Sequence, residues 1–105
     1  MHEIAQKHIE SLILIAGRER KDALLQALPT KGARVINTMY GKGSVKPNYL
    51  RDAFGLVPEV NKVVIICLIP AEKLNSMFDM LINDFDFNQP NTGIAFTIPV
   101  EKLSY

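Results

Sequence analysis

The strongest structural signal in the sequence is a stretch rich in Val and Ile, residues 60–69 (VNKVVIICLI). Its β-branched side chains favour a strand, and its lack of polar alternation predicts burial on both faces or a central position in a sheet. A helix is predicted directly after it, over residues 71–85, because apolar side chains recur there at helical spacing. These side chains are Leu74, Met77, Phe78, Leu81, Ile82 and Phe85. Pro70 separates the two elements, and proline suits the first turn of a helix.

A similar strand and helix are predicted in the first third of the chain. Residues 9–16 are almost continuously apolar, which predicts another buried strand. Residues 18–28 carry charged side chains followed by leucines at helical spacing, which predicts a helix. Pro29 and Gly32 are expected to end that helix, because proline disfavours helical geometry in the residue before it.

Two further strands complete the pattern, at residues 34–40 and 94–100. The last one has Pro99 near its end, where a missing amide hydrogen is best tolerated. The resulting order is strand, helix, strand, strand, helix, strand, which is two right-handed β-α-β halves. It predicts an α+β protein with a ferredoxin-like fold: a four-stranded antiparallel sheet with two helices on one face. We expect residues 1–105 to form one such domain.

The other face of this sheet is expected to drive self-association. The strands at residues 9–16 and 60–69 are apolar on both of their faces. A face of that composition is unfavourable in water, so we expect several copies of the chain to meet through it.

The charge balance and the cysteine content limit the classes of partner and compartment. Twelve Lys and Arg face eleven Asp and Glu, which argues against nucleic-acid binding because that function needs a concentrated basic excess. The one cysteine, Cys67, cannot form an internal disulfide. The apolar run at residues 12–16 is too short for a signal-peptide core, and no stretch approaches the roughly 20 apolar residues that span a bilayer. We therefore expect a cytoplasmic protein without direct membrane insertion.

The connection between the second and third strands, residues 41–59, is far longer than the about two to five residues that join antiparallel neighbours. Long loops on compact domains are usually functional or are tolerated insertions. This loop mixes cations with aromatic and aliphatic side chains, a composition that suits docking to a partner protein. The candidate partner-binding residues are Lys46, Tyr49, Arg51 and Phe54.

Two glycine-containing turns are candidate ligand sites. The first, residues 41–44 (GKGS), can bring bare backbone amides close to an anion, while its lysine adds charge and its serine a hydroxyl. The second, residues 88–93 (NQPNTG), precedes the last strand. A flexible strand end and a plain connector are the alternative interpretations. On this topology the two turns meet only if neighbouring subunits supply part of the cleft. The candidate binding residues are Gly41, Lys42, Gly43, Ser44, Asn91, Thr92 and Gly93.

Taken together, these features resemble the PII signalling family (nitrogen regulatory protein P-II) over nearly the whole chain. The element order is the same, and a strand runs into Gly-x-Gly, residues 41–43, at the root of a long loop. Leu-Val-Pro at residues 56–58 precedes the third strand. Gly-x-x-Phe at residues 93–96 leads into Thr-Ile-Pro-Val at residues 97–100.

The resemblance implies a homotrimer whose subunit clefts bind an adenine nucleotide (ATP, ADP or AMP) as effector. In that case Gly41, Gly43 and Gly93 would lie where backbone approaches phosphate. It also implies a regulatory rather than catalytic protein, whose long loop signals effector binding to a target enzyme or membrane transporter in nitrogen regulation. The sequence departs from the family at Ile94 and Glu59, which replace lysines, so another effector stays open.

Other functions share this topology. RNA-binding domains need exposed aromatic residues on the first and third strands, and residues 9–16 and 60–69 contain none. An enzyme or a divalent-metal tolerance protein would need acid–base or ligand sets that His2, His8 and Cys67 do not supply. We therefore expect no catalytic residue and no metal ligand, and we expect Cys67 to be a buried hydrophobe. A nucleic-acid-binding or small metabolic binding module of the same fold is the alternative function.

Overall fold

The computed structural model describes residues 8–41, 61–89 and 92–102. The strands are β1 (Ile9–Gly17), β2 (Arg34–Gly41), β3 (Lys62–Pro70) and β4 (Gly93–Pro99), and the helices are α1 (Lys21–Ala27) and α2 (Leu74–Phe85). Their order along the chain is β1-α1-β2-β3-α2-β4. Each element predicted from the sequence is therefore confirmed.

Short 3-10 turns account for the differences at the helix ends. Arg18–Arg20 precedes α1, Leu28–Lys31 follows it, and Ala71–Lys73 precedes α2. Gly32 ends the first helical region at φ 100°, a left-handed conformation that glycine adopts without steric cost. Pro29 and Gly32 therefore close this region as predicted. No helix in the described ranges is long and apolar enough to cross a membrane.

The four strands form one sheet in the order β2-β3-β1-β4, and every neighbouring pair is antiparallel. β1 and β3 are central, so Ile13 lies opposite Ile66 on one side and Phe96 on the other. Leucines of α1 and apolar residues of α2 share one core with the sheet, which places both helices on the same face. The predicted ferredoxin-like architecture is confirmed.

The core lies between this face and the helices. Every second residue of the central strands is buried, as the two-residue side-chain period of a strand requires. Cys67 is one of them at 1% exposed, which confirms that it is a buried hydrophobe. The largest fully buried side chains are Leu12, Leu14, Leu24, Leu28, Ile65, Ile69, Met77 and Leu81.

The buried stripe of α2 differs from the predicted one at two positions. Ile82 is 38% exposed, whereas Met80 is only 6% exposed and belongs to the core. At about 100° per residue, Ile82 lies roughly 140° around the helix from Met77, which is fully buried. The stripe is therefore centred on Met77 and Leu81, and the sequence-based inclusion of Ile82 in the core is wrong.

The second face of the sheet, here called the open face, is apolar, and no helix among the described residues covers it. Phe96 is 39% exposed, Met39 51% and Ile98 53%. The strand register places the residues directly opposite them on the adjacent strands on the same face of the sheet. The open face comprises Ser11, Ile13, Ile15, Asn37, Met39, Val64, Ile66, Leu68, Ile94, Phe96 and Ile98. The expected self-association through this face stays a prediction.

Candidate functional site

One end of the sheet, here called the glycine end, gathers the residues that the sequence marks as candidate ligand contacts. Lys62, the first residue of β3, lies opposite both Gly17 and Gly41. Gly93, the first residue of β4, lies opposite Ala16. The end of β1, the end of β2, the beginning of β3 and the beginning of β4 therefore lie together at this end of the sheet.

Within this end, Gly41 and Gly93 lie on opposite edges of the sheet, because β2 and β4 are its outer strands. Neighbouring strands are about 4.8 Å apart, so three spacings separate the two glycines by roughly 14 Å. A single phosphate group cannot contact both backbones of one subunit at that distance.

Eight of the predicted site residues lie outside the described residues. They are Lys42, Gly43, Ser44, Lys46, Tyr49, Arg51, Phe54 and Asn91. The structure describes Gly41, Thr92 and Gly93, and those three can be compared with the prediction.

Gly41 has open space where a side chain would be. A Cβ atom built on it would meet no heavy atom within 4 Å. Packing among the described residues therefore gives no reason for a glycine here, and a ligand can approach its backbone closely.

Thr92 and Gly93 have structural roles in the turn before β4. The hydroxyl of Thr92 is placed to donate a hydrogen bond to the backbone carbonyl of Asp86 or to that of Gln89, the latter at 3.0 Å. A Cβ atom on Gly93 would lie 2.7 Å from Cζ of Phe87, so a glycine is needed to accommodate that ring. For these two residues the contacts support the connector interpretation, and ligand contact stays a prediction.

Arg20 is a residue of this end that the sequence prediction does not include. Its Nη1 atom donates to the carbonyl of Thr92 at 3.1 Å. Its guanidinium carbon lies 5.4 Å from the ring centroid of Phe85 and 5.8 Å from that of Phe87. Arg20 thus ties the start of α1 to the turn before β4 through a hydrogen bond and two cation–π contacts.

A second cationic group lies on the β2 side of the same end, around Tyr40. The guanidinium carbon of Arg18 lies 4.5 Å from the centroid of the Tyr40 ring. Nζ of Lys21 lies 5.4 Å from that centroid and donates to the Tyr40 hydroxyl at 2.8 Å. This hydrogen bond is the main reason why the pKa of Lys21 lies above its ordinary value. Arg18 therefore contacts the ring of Tyr40 and Lys21 binds its hydroxyl, next to Gly41 in the chain.

Few negative groups balance these cations. The one ion pair among the described residues joins Lys21 Nζ to Asp22 at 3.7 Å, and the Asp22 side chain is 88% exposed. Such an exposed pair contributes little to stability. Nε of Arg18 is buried and has no hydrogen-bond partner among the described residues, and Lys62 is only 9% exposed. A buried donor of a cationic side chain is unfavourable without an acceptor, so the glycine end is suited to a negatively charged ligand.

The sequence contains a signal for this cluster, the RERK segment at residues 18–21 directly after β1. Sequence reasoning treats it as the charged beginning of a helix. Only the fold shows that this segment lies at the same end as Gly41 and Gly93.

Other reactive groups do not form a second site in the described part of the chain. Burial raises the pKa of the Cys67 thiol to about 11, so it stays neutral at physiological pH. No group of three or more His, Cys, Asp and Glu side chains in the described ranges is arranged to hold a metal ion.

Solved structures with this fold include PII-like proteins. CPII from Thiomonas intermedia K12, bound to ADP, AMP and acetate, is 16% identical with a TM-score of 0.66, over 91% of each chain. A candidate PII-like signalling protein from Thermus thermophilus is 13% identical with a TM-score of 0.65, over 90% of this chain and 87% of that one.

The same fold also occurs inside a larger protein. A Bacillus cereus protein related to NIF3 is 14% identical with a TM-score of 0.66, but the match covers 91% of this chain and only 26% of that one. No protein-family model matches the sequence, and no curated protein matches it. At these identities the likeness concerns the architecture alone: the chain has the fold of the PII-like signalling proteins.

Proposed function

We propose that this chain is a PII-like regulatory protein that acts by binding rather than by catalysis. In this proposal a homotrimer binds a small anionic effector, an adenine nucleotide, in clefts between its subunits. Loop 41–59 then signals effector binding to a partner protein, an enzyme or a membrane transporter in nitrogen regulation. The shared fold supports this proposal, because a solved structure with that fold is bound to ADP and AMP.

The observation that carries the proposal is the excess of cationic over anionic side chains among the described residues of the glycine end. The Nε atom of Arg18 is buried without a hydrogen-bond partner among these residues, Lys62 is only 9% exposed, and no carboxylate of these residues forms an ion pair with either. The phosphates of a nucleotide would supply the missing negative charge through charge-assisted hydrogen bonds. The open backbone at Gly41 leaves room for such a group.

The separation of the two candidate turns favours a cleft between subunits. Gly41 and Gly93 begin or end strands at opposite edges of one sheet, roughly 14 Å apart. If both turns contact one ligand, Gly41 of one subunit and Gly93 of a neighbour must approach each other. The proposed binding site is therefore complete only in an oligomer.

The open face supports that assembly. Phe96, Ile98 and Met39 are each more than a third exposed and lie on one apolar surface. Burial of such a surface against further copies of the chain is favourable by about 25 cal/mol per Å² of apolar area. Its central strands present aliphatic residues such as Ile13 and Ile66, which do not stack on bases, so the surface does not favour RNA binding.

Isothermal titration calorimetry with ATP, ADP and AMP tests the effector. We expect at least one of them to bind, and we expect Gly41→Ala to weaken that binding without changing the melting temperature. A side chain at this position meets no other atom of the described residues, so a loss of affinity would report contact with the ligand. If none of the three nucleotides binds or shifts the melting temperature, the nucleotide proposal is wrong.

A deletion within the loop tests the partner. The native protein is first purified with its associated proteins, which mass spectrometry identifies. We then expect the variant that lacks residues 45–56 to keep its oligomeric state and to lose binding to the purified partner. Unchanged affinity of the deletion variant would show that this loop is not the contact surface.

A further inference from the structure

Two cationic side chains lie around Tyr40, and the one described carboxylate that forms an ion pair with either of them is the exposed one of Asp22. Arg18 and Lys21 both contact Tyr40, at 4.5 and 5.4 Å from the centroid of its ring. The 2.8 Å hydrogen bond to the hydroxyl places Lys21 Nζ beyond the oxygen end of the ring rather than over its face, and two cations held at one side chain repel each other. An anion between them would turn this repulsion into attraction.

The carboxylates of the same segment, Glu19 and Asp22, do not provide that anion. Asp22 lies 3.7 Å from Lys21, but its side chain is 88% exposed, so solvent screens the pair. The Glu19 carboxyl lies beside Gly17, within 3 Å of the position that a Cβ atom would take there. Among the described residues, neither carboxylate forms an ion pair with Arg18.

Arg18 also has an unused donor. Its Nε atom is buried and has no hydrogen-bond partner in the described part of the chain, while its backbone amide donates to the carbonyl of Asn61 at 3.2 Å. A buried donor without a partner costs about 1–3 kcal/mol, so native proteins rarely keep one without a function. The contact of the Arg18 guanidinium with the Tyr40 ring, 4.5 Å from its centroid, restricts the movement of the side chain that carries this donor.

We infer that Arg18 and Lys21, held together at Tyr40, form a subsite for a phosphate group of the bound effector. A phosphate carries several acceptor oxygens and up to two negative charges, which matches a guanidinium and an ammonium group together. Tyr40 directly precedes Gly41, so the subsite adjoins the open backbone of the glycine end. The inference rests on the proposed function, because it names the residues that bind the effector's phosphate.

Three ligands separate this subsite from the nucleotide proposal: ATP, inorganic pyrophosphate and adenosine, each titrated by calorimetry. We expect Arg18→Gln and Lys21→Gln each to weaken ATP and pyrophosphate binding by about tenfold to a hundredfold, the range for loss of one charge-assisted hydrogen bond. Adenosine affinity should not change. Arg18→Lys keeps the charge but loses the planar guanidinium with its several N–H donors. Its affinity for ATP and pyrophosphate should therefore lie between those of the wild type and Arg18→Gln.

Lys31→Gln is the matched control, because it removes one positive charge at the end of the 3-10 turn that follows α1. Lys31 comes ten positions after Lys21, which is about 15 Å of helical rise, so the phosphate affinity of this variant should equal that of the wild type. Thermal melting of every variant checks that the fold is retained. If Arg18→Gln does not fold, Arg18→Lys and Lys21→Gln still decide the question.

The outcomes separate the two proposals. If the wild type binds ATP and the variants bind it equally well, the subsite is wrong and the nucleotide function stands. If pyrophosphate binds through Arg18 but no adenine nucleotide binds, the subsite is right and the effector is another phosphate compound. If the wild type binds neither, both proposals are overturned.

Discussion

Replacement of Phe96 by Asp on the open face should dissociate the assembly. Phe96 is 39% exposed in the single subunit. With about 200 Å² for a phenylalanine, roughly 80 Å² is available for burial, which is about 2 kcal/mol per subunit and about 6 kcal/mol for the proposed trimer. A buried carboxylate adds a desolvation penalty of several kcal/mol at each copy. We therefore expect Phe96→Asp to be a monomer at micromolar concentration.

Sedimentation velocity of the wild type and the variant measures this directly. Ile82→Asp is the matched control, because Ile82 is 38% exposed but lies on α2, on the other side of the sheet. We expect this control to sediment like the wild type. A wild-type monomer at micromolar concentration, or a Phe96→Asp variant that stays assembled, would refute the reasoning about the open face.

Three further predictions concern stability. Met77→Ala leaves a cavity at a fully buried position and should lower the free energy of unfolding by about 2–5 kcal/mol in urea denaturation; a smaller loss would mean that the core repacks. Gly93→Ala places a Cβ atom against Phe87 and should lower the melting temperature by several degrees, whereas Gly41→Ala should not; equal effects would contradict the packing described for both. The pKa of Cys67 is raised from 9.0 to about 11, so its stabilising contribution is complete below pH 9 and should be lost between pH 9 and 11. Urea titrations across that range should show a fall that is smaller in Cys67→Ala, where other groups such as Lys21 still contribute.

Most of the fold could be predicted because its signals are local. The β-branched run at residues 60–69 and the apolar spacing in residues 71–85 each depend on side chains close in sequence. The exact face of a helix is less predictable, as Ile82 shows. Leu81 and Ile82 are both large and apolar, and only the contacts with the sheet decide which of them is buried.

The candidate site was less predictable because it is built from distant parts of the chain. Gly41 could be identified, since glycine near a strand end suggests close approach of a ligand. The cluster of Arg18, Lys21 and Tyr40 could not, because 19 residues separate Lys21 from Tyr40 and the sheet order β2-β3-β1-β4 is what brings them together. A charged segment at the start of a helix has no sequence feature that distinguishes a ligand site from an exposed surface.

The proposed assembly and the proposed effector binding are separable, since they would depend on different parts of the subunit. The proposed phosphate subsite at Tyr40 would lie within one chain, whereas Gly41 and Gly93 can share a ligand only across a subunit boundary. A monomeric Phe96→Asp variant should therefore keep its affinity for pyrophosphate, which needs only Arg18 and Lys21. It should lose most of its affinity for ATP, because the neighbour's part of the cleft is missing. Equal affinity of the monomer and the assembly for ATP would instead mean that one subunit holds the whole binding site.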